Sequence, residues 1–183
     1  PPLEQYAMIL GGVARITPAV APVIAIPTTA GTGSEVGGGA VIITEDGHKV
    51  VIGSPNLLPK MAICDPELTL GLPKHLTAAT GMDAMAHCIE AYCTHVVNPP
   101  AAAIGLDGLE RVVTYLKRAV QDGQDREARW HMMMAASEGA MAFSKGLGAV
   151  HSMSHAIGAD EEMRLHVKTC AEAGISEAAL QAA

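Results

Sequence analysis

The sequence predicts two units in series, a short α/β segment over residues 1–72 and an all-α helical segment over residues 73–183. Three observations predict it. Up to Cys64 the apolar residues come in short, β-branched runs closed by Pro, Gly or Asp. From about Pro73 they recur at three- and four-residue spacing in long Ala- and Met-rich stretches, which is the helical period. Aromatics supply only 3% of residues against 49% hydrophobic, so the core must be built from Ala, Val, Ile, Leu and the ten Met, whose flexible thioethers fill irregular gaps.

Residues 3–10 read as a short helix stopped by Gly11-Gly12, because glycine supplies the left-handed conformation that ends helices. Pro22-Val-Ile-Ala-Ile26 is a continuous apolar run and predicts a buried strand, which Pro27 closes ahead of a Thr- and Gly-rich loop over residues 28–35. Residues 41–44 and 49–52 are β-branched and flank Glu45-Asp46-Gly47, so they predict an antiparallel hairpin. Met61-Ala-Ile-Cys64 is a further short strand, closed by Asp65-Pro66 because proline forces its predecessor out of helix. Helices are predicted over residues 77–95, 101–119, 126–143 and 148–157, with Asn98-Pro99-Pro100 and Asp122-Gly123 as punctuation.

The formal net charge of -7, with Lys and Arg scattered singly, provides no basic stripe for nucleic acid. No apolar run is long enough to span a bilayer and no signal peptide opens the chain, so the expectation is a cytoplasmic protein with no membrane partner. Cys64, Cys88, Cys93 and Cys170 form no Cys-x-x-Cys pair and fall in apolar contexts, which suits buried thiols in a reducing compartment. The chain opens Pro-Pro, without Met, as a processed sequence or one begun inside a longer frame would.

Asp83 and His87 are four residues apart, so a helix projects both from one face, one turn apart. The same spacing recurs at His151 and His155. Two such pairs facing each other would make a site for a borderline divalent ion such as Fe(II), Zn(II), Co(II) or Mn(II), while Ca(II) and Mg(II) prefer oxygen alone. A lone pair of this kind also occurs on plain helix surfaces. His48, His75, His95 and His131 read as solvated or capping residues. The loop Thr28-Thr29-Ala-Gly31-Thr32-Gly33-Ser34 puts hydroxyls and close-approach backbone at a strand end, where open α/β sheets bind nucleotides, although such loops also serve as plain connectors.

Three separated motifs then carry a resemblance. Ile26-Pro-Thr-Thr-Ala-Gly-Thr-Gly-Ser-Glu-Val36, Leu76-Thr-Ala-Ala-Thr-Gly-Met-Asp-Ala-Met-Ala-His-Cys-Ile-Glu-Ala-Tyr92 and Gly146-Leu-Gly-Ala-Val-His-Ser-Met-Ser-His-Ala-Ile-Gly158 resemble, in order and spacing, the iron-containing (group III) alcohol dehydrogenases. The resemblance covers roughly residues 20–159. It implies a dehydroquinate synthase-like fold, here incomplete: an α/β remnant of a dinucleotide-binding domain followed by a helical metal-binding domain. It implies Fe(II) or Zn(II) and NAD or NADP as cofactors, a small alcohol or aldehyde as substrate, and a homo-oligomer. By the same resemblance Asp83, His87 and His151 are metal ligands, and His155 assists proton transfer beside the nicotinamide. Thr28, Thr29, Lys49, Leu68 and Gly71 are the implied cofactor contacts, and Ser152 and Met153 are packing residues.

The resemblance also breaks. The family's Gly-Gly-Gly-Ser turn has no counterpart between Pro1 and Ala21, and a Pro-His-Gly that would donate a fourth ligand is replaced by the sequence from Asp160 to Cys170. His166 stands near that distance in unmatched surroundings, and Glu172 to Leu180 is similar to family sequence from nearer the C-terminus, which suggests a truncated or internally deleted member. Three readings follow: an alcohol dehydrogenase dependent on the missing parts, a non-catalytic metal-binding fragment, or a remnant without function.

Overall fold

A computed structural model of the chain describes residues 2–44 and 49–159, with side chains described up to His155. The predicted turn at Glu45-Asp46-Gly47, His48, His166, Cys170 and the rest of residues 160–183 lie outside the described residues.

Residues at the N-terminus form two short 3-10 turns, Leu3–Tyr6 and Met8–Leu10, in place of the predicted single helix. Ala7 is the one buried side chain there, so no packed face rewards the longer nucleus of an α-helix. Gly11 does end the segment in the left-handed region, at φ 72°.

Two small ladders follow. Strand β1 (Ile24–Ala25) pairs in parallel with β4 (Met61–Ala62), and β2 (Gly39–Ile43) pairs antiparallel with β3 (Lys49–Gly53) in the register Val41 opposite Val51. The hairpin matches the sequence pattern. The apolar run at residues 22–26 does not form the buried strand expected, for Ile24 is 60% exposed and Met61 55%. β1 has β4 as its only ladder partner among the described residues, and both faces of a two-stranded ribbon stay open.

Helices begin at Lys74, after Leu72-Pro73. They are α1 (Lys74–Cys93), α2 (Pro99–Gln121), α3 (Arg126–Ala142) and α4 (Ala149–Ala159). Asn98 caps α2 by accepting from Ala101 N at 3.3 Å, with prolines in the first turn where no N–H is needed, and Asp125 caps α3 through Ala128 N at 3.0 Å. α1, α2 and α3 pack around Ala84, Val112, Ala119, Ala128, Met132, Met133, Ala135 and Ala136, an Ala and Met core as the composition predicts. Small residues bring the helices close: a Cβ on Gly108 of α2 would stand 2.9 Å from Cys88 Sγ, and one on Gly139 of α3 would stand 3.0 Å from His87 Cβ.

Arg129, 2% exposed, ties the start of the bundle together by donating to Thr77 Oγ1 at 2.8 Å and to the Gly123 carbonyl at 3.0 Å. Cys64, Cys88 and Cys93 are free thiols, of which Cys88 is buried and Cys93 exposed, against the expectation that all lie inside. No described helix is long and apolar enough to cross a membrane.

Candidate metal centre

α1 carries Asp83, His87 and Glu90 at relative positions 0, 4 and 7, a single narrow stripe of the helix. His87 and Glu90 are buried and Asp83 is half-buried. Facing the stripe is the start of α4, which follows the glycines of Gly146-Leu147-Gly148 and delivers His151 as its third residue.

Asp83, His87 and His151 each offer a donor atom, and these atoms lie within 4.8 Å of one another. Asp83 Oδ1 stands 3.7 Å from His87 Nε2 and 3.4 Å from His151 Nε2. Those separations exceed good hydrogen bonds. They approximate the edges of a coordination shell with bonds of about 2.0–2.2 Å, whose neighbouring donors stand about 3.0–3.5 Å apart. The two imidazoles stack at 4.5 Å between centroids, and Phe143 closes over His87 at 5.0 Å.

The charges suit a cation. Burial pushes the Asp83 carboxyl up, but the approach of His151 and the nearby imidazoles outweigh it and hold the group below its ordinary value, as an anion. Burial pushes His87 down past the opposing pull of Asp83, which favours the neutral, ligating imidazole. Nδ1 of His87 is buried without a hydrogen-bond partner. Asp83 raises His151, against burial and with help from Glu90. One carboxylate and two imidazoles therefore fit a borderline divalent ion.

His155 lies one turn beyond His151, with ring centroids 6.0 Å apart, and is half-buried. Its pKa is lowered by burial, then by the Lys49 ammonium and His151, with Asp83 opposing. Lys49 opens β3, so the hairpin and the second histidine pair meet here. Of the other predicted contacts, Thr28 is exposed and Thr29 half-buried at the head of the Thr/Gly loop, and Leu68 and Gly71 are exposed around the turn Pro66–Thr69. The loop itself is pinned across α1 and α3: a Cβ on Gly31 would strike the Thr80 carbonyl at 2.7 Å, and Ser137 of α3 donates to buried Glu35 at 2.5 Å.

Glu90 is the residue that sequence reading missed. It hydrogen-bonds His151 Nδ1 and accepts from Val150 N at 2.6 Å. Its place on the stripe of Asp83 and His87 was the available signal. Ser152 and Met153 are exposed and do not pack as expected; the Ser152 hydroxyl donates to the Gly148 carbonyl at 2.9 Å.

Comparison with known proteins gives the family. The profile described as iron-containing alcohol dehydrogenase matches residues 3–66, and that of the Fe-containing alcohol dehydrogenase family, C-terminal, matches residues 77–172. A 4-hydroxybutyrate dehydrogenase of Cupriavidus necator is 63% identical over 156 residues, which are 85% of this chain and 41% of that protein. The crystal structure of a 1,3-propanediol oxidoreductase superposes with TM-score 0.78 at 39% identity, over 85% of this chain and 40% of the other. A sulfoacetaldehyde reductase of Bifidobacterium kashiwanohense in complex with NAD+ gives TM-score 0.73 at 31% identity, over 84% and 44%. The chain thus spans about two fifths of the length of the relatives it matches. With both profiles aligned along its length, the chain belongs to the iron-containing alcohol dehydrogenase family.

Proposed function

We propose that the chain carries the metal centre and part of the nucleotide site of an NAD(P)-dependent alcohol dehydrogenase acting on a small alcohol or its aldehyde. The observation that carries this reading is the convergence of Asp83, His87 and His151 from two helices onto one point. In this reading residues 1–72 belong to the dinucleotide-binding unit and residues 73–183 to the metal-binding unit. Asp83, His87 and His151 hold a divalent ion, Fe(II) or Zn(II). Thr28, Thr29, Lys49, Leu68 and Gly71 lie along the cofactor, and His155 receives or returns the proton of the substrate hydroxyl. When bound, the ion supplies Lewis acidity to a substrate oxygen and the nicotinamide exchanges the hydride.

The chain's own residues prepare that chemistry. The Asp83 anion offsets the charge of an ion, which would take the place of the proton that Asp83 and Glu90 favour on His151. His155, half-buried and beside Lys49, is held toward its neutral form and accepts a proton. The 63% identity to a 4-hydroxybutyrate dehydrogenase puts short ω-hydroxy acids first among alcohols to try.

Calorimetry with Zn(II) on the wild type and on Asp83→Ala tests the centre. Binding should be tight in the wild type and weakened at least about 100-fold in the variant, since one of three ligands is gone. Equal affinities would exclude this centre. Turnover is followed at the reduced-nicotinamide band with Fe(II) or Zn(II), NAD or NADP and a panel that includes 4-hydroxybutyrate. Zinc binding without turnover under any of these conditions leaves the metal centre standing and removes independent catalysis.

A further inference from the structure

We propose that Glu90 is the positioning residue of the metal centre: it fixes the tautomer and the orientation of His151 and ties both to the start of α4. The proposal rests on the reading of Asp83, His87 and His151 as ligands, and its test separates the two.

Glu90 is 7% exposed, and both of its oxygens are engaged. Oε2 meets His151 Nδ1, while Oε1 accepts from Val150 N at 2.6 Å. Val150 lies in the first turn of α4, where backbone N–H groups have no helical partner, so one carboxylate satisfies an orphan donor and the ring of the next residue. Gly148 makes the arrangement possible. A Cβ there would stand 2.8 Å from Glu90 Oε1 and 3.2 Å from its Cδ, which would push the carboxylate out of its seat.

The consequence falls on the opposite side of the ring. A carboxylate can only accept, so Nδ1 must carry the proton shared with Glu90. That leaves the Nε2 lone pair as the ligating one, and Nε2 is the atom 3.4 Å from Asp83 Oδ1. His87 has no such partner, since its Nδ1 is without a hydrogen bond. The two imidazoles therefore differ: among the described residues only His151 has a carboxylate held against its Nδ1. A carboxylate behind a ligating histidine raises its basicity and holds its plane, and removing such a partner weakens metal binding about 10- to 100-fold.

The test compares Zn(II) affinity of the full chain in wild type, Glu90→Ala, Glu90→Gln, Gly148→Ala and Asp83→Ala, with Asn98→Ala as a control that loses the cap of α2 and touches neither Glu90 nor the three ligands by any hydrogen bond. Glu90→Ala should bind Zn(II) about 10- to 100-fold more weakly. Glu90→Gln keeps the volume and one acceptor but cannot accept from both donors, so it should recover part of the affinity and serves where Glu90→Ala does not fold. Gly148→Ala should reproduce the loss without altering any charge. Asn98→Ala should lower the melting temperature and leave affinity unchanged, which separates positioning from general stability.

A second readout is the nitrogen NMR spectrum of His151. At a pH where the ring is neutral, the protonated nitrogen should be Nδ1 in the wild type and both tautomers should appear in Glu90→Gln. Wild-type affinity in Glu90→Gln and Gly148→Ala, with Asp83→Ala weakened, would overturn the role of Glu90 and keep the centre. Unchanged affinity in Asp83→Ala would overturn the centre itself.

Discussion

Arg111 of α2 gathers three side chains at the seam with α3. Its Nε donates to both oxygens of Glu138 at 3.1 and 3.0 Å, Nη2 donates to Asp107 at 2.7 Å, and Nη1 lies 2.9 Å from His131 Nδ1. A guanidinium can only donate, so Nδ1 of His131 is the acceptor, and the ring stacks on Tyr115 at 3.7 Å. His131 is thus packed within the seam, and neither solvated nor a cap as its sequence context suggested. Two carboxyls share one cation here. Burial pushes Glu138 up to about 7 and the neighbouring Asp107 adds to it, against the pull of Arg111. An acid whose folded pKa lies above its ordinary 4.5 stabilises the fold fully below pH 4.5 and loses that contribution as pH rises through about 7. The wild-type melting temperature should therefore fall relative to that of Glu138→Gln across this window, and a constant difference between the two would place the proton elsewhere. Asp83 and His87 were legible in the sequence because one helix turn joins them. Glu90 and His151 stand 61 residues apart, and Arg111 and Glu138 27, and no local period reports such pairs.

At the scale of elements, legibility tracked the source of each element's order. α2 and α3 announced themselves by period and by the punctuation at Asn98-Pro99-Pro100 and Asp122-Gly123, and in the structure Asn98 and Asp125 cap them, which is a local event. The strand at residues 22–26 shrank to two residues because a strand is defined by its neighbour, and apolar composition alone cannot supply one. The Thr/Gly loop is the informative case. Its glycines suggested a nucleotide, but their first duty in this fold is contact with helices. Gly33 has φ 60°, and a Cβ there would lie 2.2 Å from Ala140 Cβ and 2.4 Å from the Ala136 carbonyl. Gly33→Ala must adopt a left-handed conformation at about 1 kcal/mol and displace α3 or the loop at about 1–3 kcal/mol more. Chemical denaturation should report a loss of at least about 2 kcal/mol. A loss below about 0.5 kcal/mol would mean that the loop does not sit on α3.

For the whole molecule, the two units differ in what holds them. α1, α2 and α3 share a continuous core in which Ala84, Val112, Ala128 and Ala135 are fully excluded from solvent. β1 and β4 share two residue pairs and expose Ile24 and Met61, and Ile26 and Ile63 just after them are exposed as well. Ordering such a ribbon costs about 1–2 kcal/mol per residue in backbone entropy, with little apolar burial to offset it. The relatives are more than twice as long, and this ribbon is where the chain has least support of its own. Free energies of opening should therefore diverge within one molecule. In hydrogen exchange, amides of the α1, α2 and α3 interiors should open only with global unfolding, and those at residues 24–25 and 61–62 should exchange at least about 100-fold faster. Around Glu35, tied to Ser137, protection should follow the helices and not the ribbon. If Asp83, His87 and His151 hold zinc as proposed, zinc should slow exchange in α1 and α4 and leave the ribbon unchanged. Equal protection across ribbon and bundle would mean that the strands are held by contacts beyond this two-residue ladder.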